Sequence, residues 1–162
     1  MVMKATRGTA INFIASGGTE PLTLTSVAAG AGRQSDEYDR GAGDLDVLYE
    51  WRAYVKFATT PVVGETVDIY LKTSDGTHDD NDDGATDAAL SAEDKLKNLT
   101  YMGSIIVDEA STTPEFSASG QISIYARYIQ VVVFNNTADA LSSTAADHGV
   151  ILTPVIPKDD GT

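Results

Sequence analysis

From Val47 to Ala58 the chain alternates without a break. Val47, Tyr49, Trp51, Ala53, Val55 and Phe57 hold the odd positions, while Glu50, Arg52 and Lys56 fall on even ones. A period of two sustained over that length places the apolar side chains on one face of an extended strand, and it does not fit an amphipathic helix. The single tryptophan lies in the middle of the run. Trp51 is therefore predicted to enter a core.

The same logic extends along the chain. Val67, Ile69 and Leu71 alternate with Thr66, Asp68 and Lys72, and Pro61 and Gly64 lie between this run and the first. That makes Thr59–Glu65 a short connection and predicts that the two strands form a hairpin. Further strands are expected at Ala10–Ala15, Leu22–Val27, Thr100–Val107, Gln121–Tyr125, Tyr128–Asn135 and Gly149–Ile156, with Thr66–Lys72 and Val47–Ala58 completing about eight. Val47–Ala58 is expected to be the longest. Short strands separated by Gly, Pro, Ser and Asp clusters point to an all-β sandwich or barrel.

Tyr128–Phe134 is apolar on both faces, which marks a strand that is central or covered by a neighbouring subunit; the second is expected here in part. Ser91-Ala-Glu-Asp94 reads as a capping box opening a turn or two of helix. Ala28–Asp46, rich in Gly and charge, reads as an extended loop. The expected organisation is an N-terminal arm or hairpin over residues 1–35, a β-sandwich over 36–157 and a polar tail over 158–162.

A chain of 162 residues suits one domain. Its net charge of -13 argues against nucleic acid or an anionic membrane as partner. Cysteine is absent, so disulfides and thiolate metal sites are excluded. The N-terminus lacks the apolar core of a secretory signal, so synthesis in the cytoplasm without export by that route is expected. The charge is uneven. Residues 1–35 carry Lys4, Arg7 and Arg33 against Glu20, whereas residues 75–94 carry eight carboxylates and no Lys or Arg.

Within that acidic stretch, Asp79, Asn81, Asp83 and Asp87 have the alternate spacing of a calcium loop, with Gly84 at the turn. Leu90 stands where the closing bidentate Glu is needed, so a solvated acidic tip is the plainer reading and a weak calcium site the sharper one. His78 and His148 each lie beside Asp in polar segments and are expected to face solvent. No nucleophile motif occurs, and adjacent Asp147 and His148 do not make a triad. No enzymatic activity and no cofactor are expected. Lys4, Arg7, Ile11, Phe13 and Ile14 combine basic and apolar character in a form suited to docking on a neighbour, with the acidic loop facing outward.

Three stretches carry a resemblance. They are Leu22-Thr-Leu-Thr-Ser-Val-Ala-Ala-Gly-Ala-Gly-Arg-Gln-Ser35, Val67-Asp-Ile-Tyr-Leu-Lys-Thr-Ser-Asp-Gly76, and Arg127-Tyr-Ile-Gln-Val-Val-Val-Phe-Asn-Asn-Thr137 with Ala140-Leu-Ser142 after it. In these the chain resembles small structural proteins of tailed bacteriophages, over most of its length from Leu22 to Pro154. It departs from them at Ala138-Asp139, where a Gly would follow Thr137, and in the extra Thr144–His148. The resemblance implies a jelly-roll-like antiparallel β-sandwich and a non-enzymatic head decoration or cement protein. Its implied partner is the major capsid protein or another virion protein, and its implied place is the head surface. A homo-oligomer, a trimer by analogy with capsid three-fold positions, is expected. A tail or neck component and a carbohydrate-binding module remain open. The latter needs exposed aromatics aligned on one sheet face.

Overall fold

The computed structural model describes residues 3–43 and 45–159. Among them are the strands β1 (Met3–Arg7), β2 (Ile11–Phe13), β3 (Ala31–Gln34), β4 (Tyr38–Asp39), β5 (Leu48–Val55) and β6 (Thr66–Ser74). The chain continues through β7 (Ala88–Ala89), β8 (Thr100–Ile106), β9 (Phe116–Ser123), β10 (Tyr128–Asn136) and β11 (Gly149–Asp159). Short 3-10 turns at Glu93–Leu96 and Ala145–Asp147 are the described helical elements. The first lies within the loop where a turn of helix was expected.

The ladders between these strands are antiparallel, and they build two sheets. The first runs β1-β11-β5-β9, with β2 also on β11; the second runs β7-β3-β10-β6-β8, with β4 also on β10. With the short β1, β4 and β7 set aside, β2-β11-β5-β9 faces β3-β10-β6-β8. The chain changes sheet at each step except β6 to β8. That strand order is a jelly roll, the all-β sandwich expected.

The alternation around Trp51 appears as a burial pattern in which Tyr49, Trp51, Ala53 and Val55 are buried and the residues between them are not. Trp51 is 4 % exposed and sits in the core between the sheets. Close approach from both sides requires glycine. A Cβ on Gly120, its register partner in β9, would lie 2.7 Å from Nε1, and one on Gly103 in β8 would lie 2.8 Å from Cζ2.

Three expectations about strands need correction. β5 and β6 are not a hairpin, because β5 pairs with β11 and β9 whereas β6 pairs with β10 and β8. Thr59–Glu65 therefore crosses from one sheet to the other. The longest strand is β11, at 11 residues against 8 for β5. Its final stretch Val155–Asp159 pairs only with β1. Leu22–Val27 forms no ladder, although Leu22, Leu24 and Val27 are buried. The actual strand of that region is β3, Ala31–Gln34, inside the segment expected to be a loop.

Residues 3–35 are likewise not an arm apart from the sandwich. β1 and β2 pair with β11, and β3 pairs with β10, so this segment contributes to both sheets.

β10 is central in the second sheet, between β3 or β4 and β6. Ile129, Val131 and Val133 enter the inter-sheet core, while Gln130, Val132 and Phe134 on the opposite face are also buried, at 1, 0 and 6 % exposure. The cover comes from the same chain. After Ser74 the backbone crosses to the far edge of the sheet, where Ala88 and Ala89 pair with Gln34 and Arg33, and then returns to β8 beside β6. Residues 75–99 therefore lie across the outer face of the second sheet. The two-sided apolar character of β10 needs no neighbouring subunit.

Candidate functional site

The acidic loop was expected to be a solvated tip. It is instead fastened down by groups beneath it. Lys72, on the outer face of β6, has a fully buried side chain. Its ammonium donates to Gly84 O at 2.6 Å, Asp79 Oδ2 at 2.9 Å and Gln34 Oε1 at 3.2 Å. All three of its N–H groups are used, as burial of an ammonium demands. Gln34 turns its amide nitrogen to three loop carbonyls, Asp83 O, Gly84 O and Thr86 O, at 2.9–3.0 Å.

Each carboxylate of the calcium-like pattern has a partner within the protein. Asp79 accepts from Lys72 and from the Asn81 and Asp82 amides. Burial alone would raise its carboxyl, but these bonds outweigh burial and hold it below the ordinary range. Asn81 Oδ1 accepts from the Asp83 amide at 3.1 Å. Asp83 accepts from Ser91 Oγ at 2.7 Å and from the Ser91 amide, with Lys95 Nζ at 3.9 Å. Asp87 accepts from Arg33 Nε at 2.6 Å and from Thr23 Oγ1 at 2.5 Å. It too is raised by burial and lowered further by Arg33 and Thr23, so its net displacement is downward.

The four side chains therefore diverge onto different partners. Among the described residues, no group of three or more His, Cys, Asp or Glu side chains is placed to hold a metal ion. Lys72 stands under the loop as a cation tethered to the sheet. Leu90, which disqualified the pattern as a calcium loop, packs over Gly32 and Phe134: a Cβ on Gly32 would lie 2.5 Å from Leu90 Cδ1 and 2.9 Å from Phe134 Cδ2. It is an apolar peg where a metal loop would close its ligand set.

His78 is exposed, but His148 is buried at 2 % exposure, contrary to expectation. His148 Nε2 lies 2.9 Å from Ser142 O, and Nδ1 faces the Lys56 amide at 3.4 Å. Ser142 Oγ donates to Asp147 Oδ2 at 2.7 Å. The imidazole thus meets main-chain groups rather than the serine hydroxyl, and no triad forms. Burial pulls the His148 imidazole below its ordinary value, opposed by the Ser142 hydrogen bond and the Asp147 charge.

The expected docking residues separate. Ile11 and Phe13 are core residues at 4 and 0 % exposure, so they are not available to a partner. Ile14 is half-buried against Gly18 and Gly149. Lys4 is placed only by register, opposite Lys158; its side chain lies outside what is described. Arg7 is exposed and paired with Glu50 at 2.6 Å.

That pair borders the outer face of the first sheet, which no loop was expected to distinguish from the other. It holds a shallow groove of about 390 Å³, lined in part by Arg7, Glu50, Arg52, Ser119, Gln121 and Thr153. The polar alternates of β5 and β9 were legible in the sequence, but which face would stay open was not. Of the seven Tyr, Tyr101 and Tyr125 are exposed, at 56 and 78 %. Tyr101 packs edge-on against Tyr70 in the second sheet, and Tyr125 lies in the turn after β9. They form no row on one face. Arg40 Nη1 donates to the carbonyls on either side of Tyr125, Ile124 O and Ala126 O, and so holds that turn.

No family model matches the chain, and no curated protein matches its sequence. Among solved structures it is similar to a family 35 carbohydrate binding module from an environmental isolate, with TM-score 0.45 and 10 % identity over 93 % of each chain. It is also similar to murine APRIL at pH 5.0, with TM-score 0.44 and 11 % identity over 90 % of this chain and 97 % of that one. The jelly-roll assignment stands on the strand order above; these distant likenesses carry no inference about ligand or partner.

Proposed function

We propose that this chain is a non-enzymatic structural protein of a bacteriophage virion, a decoration or cement protein bound to the head shell. The observation that carries this reading is the inequality of its two outer faces. One is sealed by the chain's own acidic loop, and the other is bare, polar and nearly free of carboxylates. A slab built this way can lie with its bare face on a shell and its acidic coat towards solvent, where charge keeps many copies from aggregating. The strand-and-turn resemblance to virion proteins supports the same reading.

The reading includes a homotrimer on the shell. Val62, Val63 and Ile106 are exposed at 53, 55 and 61 %. The Gly64 amide bonds to Val107 O and the Val107 amide to Glu65 O, which brings that loop beside the end of β8. This is the apolar surface offered to a neighbouring copy. Electron microscopy of the intact particle tests the proposal. Sandwich density repeated over the head shell is expected; finding the chain in the tail or neck, or absent from the particle, would overturn it.

A further inference from the structure

We propose that the bare outer face of the first sheet, around Arg52 and Arg7, docks an acidic extended segment of a partner protein. The inference rests on the virion reading, in which the partner is a shell subunit. Its basis is where charge has been left uncompensated.

The chain has 24 acidic and 11 basic side chains, so cations are scarce and most find a carboxylate. Arg33 holds Asp87, Lys56 holds Asp147, Lys72 holds Asp79 and Arg127 holds Asp39. Arg52 is exposed in the middle of β5 and has no carboxylate partner among the described residues. Around it the face is neutral. Exposed positions of β9 are Ser117, Ser119, Gln121 and Ser123, and half-buried Ile151 and Thr153 of β11 face the same way. Glu50 is the one carboxylate at the groove, and Arg7 neutralises it. The groove thus carries a net charge of one positive unit on a chain of -13, and the next carboxylate on this side, Glu115, lies beyond it near Tyr54.

An acidic partner meets repulsion from the rest of this molecule and attraction here. The hydroxyls and amides supply hydrogen bonds without charge, and guanidinium groups form strong charge-assisted pairs with carboxylates. The register sets the spacing. Arg52 lies opposite Ile151 and Arg7 opposite Val155, four residues apart on β11. Arg7 reaches back across β11 to Glu50, two residues from Arg52 on β5, so at ~3.3 Å per residue the two guanidinium groups lie on the order of 7 Å apart. Carboxylates about two residues apart on an extended segment, which fall on the same side of it, would face both.

The test uses the full chain and a synthetic octaglutamate peptide, followed by NMR at low salt. Amide shifts concentrated at Arg52, Ser119, Gln121 and Thr153 are expected, with affinity lowered ~10-fold or more by Arg7→Glu with Arg52→Glu and also lowered by Arg52→Gln. Shifts elsewhere, no shifts, or affinity indifferent to both variants would overturn the docking face. A second arm uses purified heads lacking the chain. Wild-type binding that Arg52→Glu leaves intact would overturn this face and spare the virion reading. Failure of the wild type to bind heads would overturn the virion reading, while the peptide still judges the face. A dimer that Arg52→Glu dissociates would assign the face to a second copy and reject the acidic partner.

Discussion

The two outer faces of the sandwich begin from strands of similar design and end in opposite states. On the second sheet, Lys72, Gln34, Val132 and Phe134 point outward from the core and are buried under residues 75–99. On the first sheet, Glu50, Arg52, Ser119 and Gln121 point outward and stay at the surface. The difference lies in what each face offers a loop. The second presents an ammonium, an amide and apolar side chains, which together can neutralise and seat a run of carboxylates. The first presents hydroxyls, an Arg–Glu pair already satisfied and the lone guanidinium of Arg52. An acidic run is therefore not bound to be a solvated tip; cations on the sheet beneath it decide.

The comparison breaks most sharply at Lys72. Lys72→Met removes one partner of a buried pair, takes the donor from Gln34 Oε1 and the cation from Asp79 Oδ2, and leaves Gly84 O with the Gln34 amide alone, a loss of about 3–5 kcal/mol expected in denaturant unfolding. A change below ~1 kcal/mol would mean the loop is not held by this ammonium. Beneath the open face, Gly120→Ala should cost about 1–3 kcal/mol, because Trp51 is wedged between Gly120 and Gly103 and cannot retreat. Arg52→Gln on the same face should stay within about 0.5 kcal/mol, since it breaks no ion pair within the described chain.

Acid should separate two regions. His148 is depressed below 6.5 in the fold, so the unfolded chain binds its proton first and stability falls as pH drops from 6.5 through the folded value. Asp79 and Asp87 are depressed below 3.8, so their contribution is complete above that value and is lost as pH falls through their folded values. Hydrogen exchange should show the segment around His148 loosening in the first window and residues 75–90 only in the second. His148→Gln should remove the first step. The smallest effect expected is that of calcium: calorimetry should find no binding tighter than millimolar, because Lys72 and Arg33 already hold Asp79 and Asp87.

Much of the core was legible. The alternation of β5 and β6 marked Trp51, Val67, Ile69 and Leu71 as inward, and each is buried. Sheet membership was not, because a short Pro- and Gly-containing connection suits a hairpin and a crossing between sheets equally well. β3 was hidden by its own work: Gly32 leaves room for Leu90, while Gln34 and Arg33 bind the loop, so the strand reads as polar and glycine-rich. Leu22 and Leu24 were recognised as apolar but fill the core without a ladder. Ile11 and Phe13 were assigned to docking from apolar character near the N-terminus, when their alternation fits an inward strand. Lys72 was taken for a solvent-facing alternate, and only its position under the loop, against Asp79 and Gly84 O, reveals its role.

Amide hydrogen exchange across the acidic loop, in the wild type and in Lys72→Met, tests the central claim most directly. The Asp80, Asp87 and Leu90 amides bond to Thr73 O, Asp36 Oδ1 and Gly32 O. The account predicts that these amides are protected in the wild type and lose protection in Lys72→Met, while β5 and β9 exchange as before. Free exchange at all three amides in the wild type would contradict it, since the second sheet would then have no fixed cover.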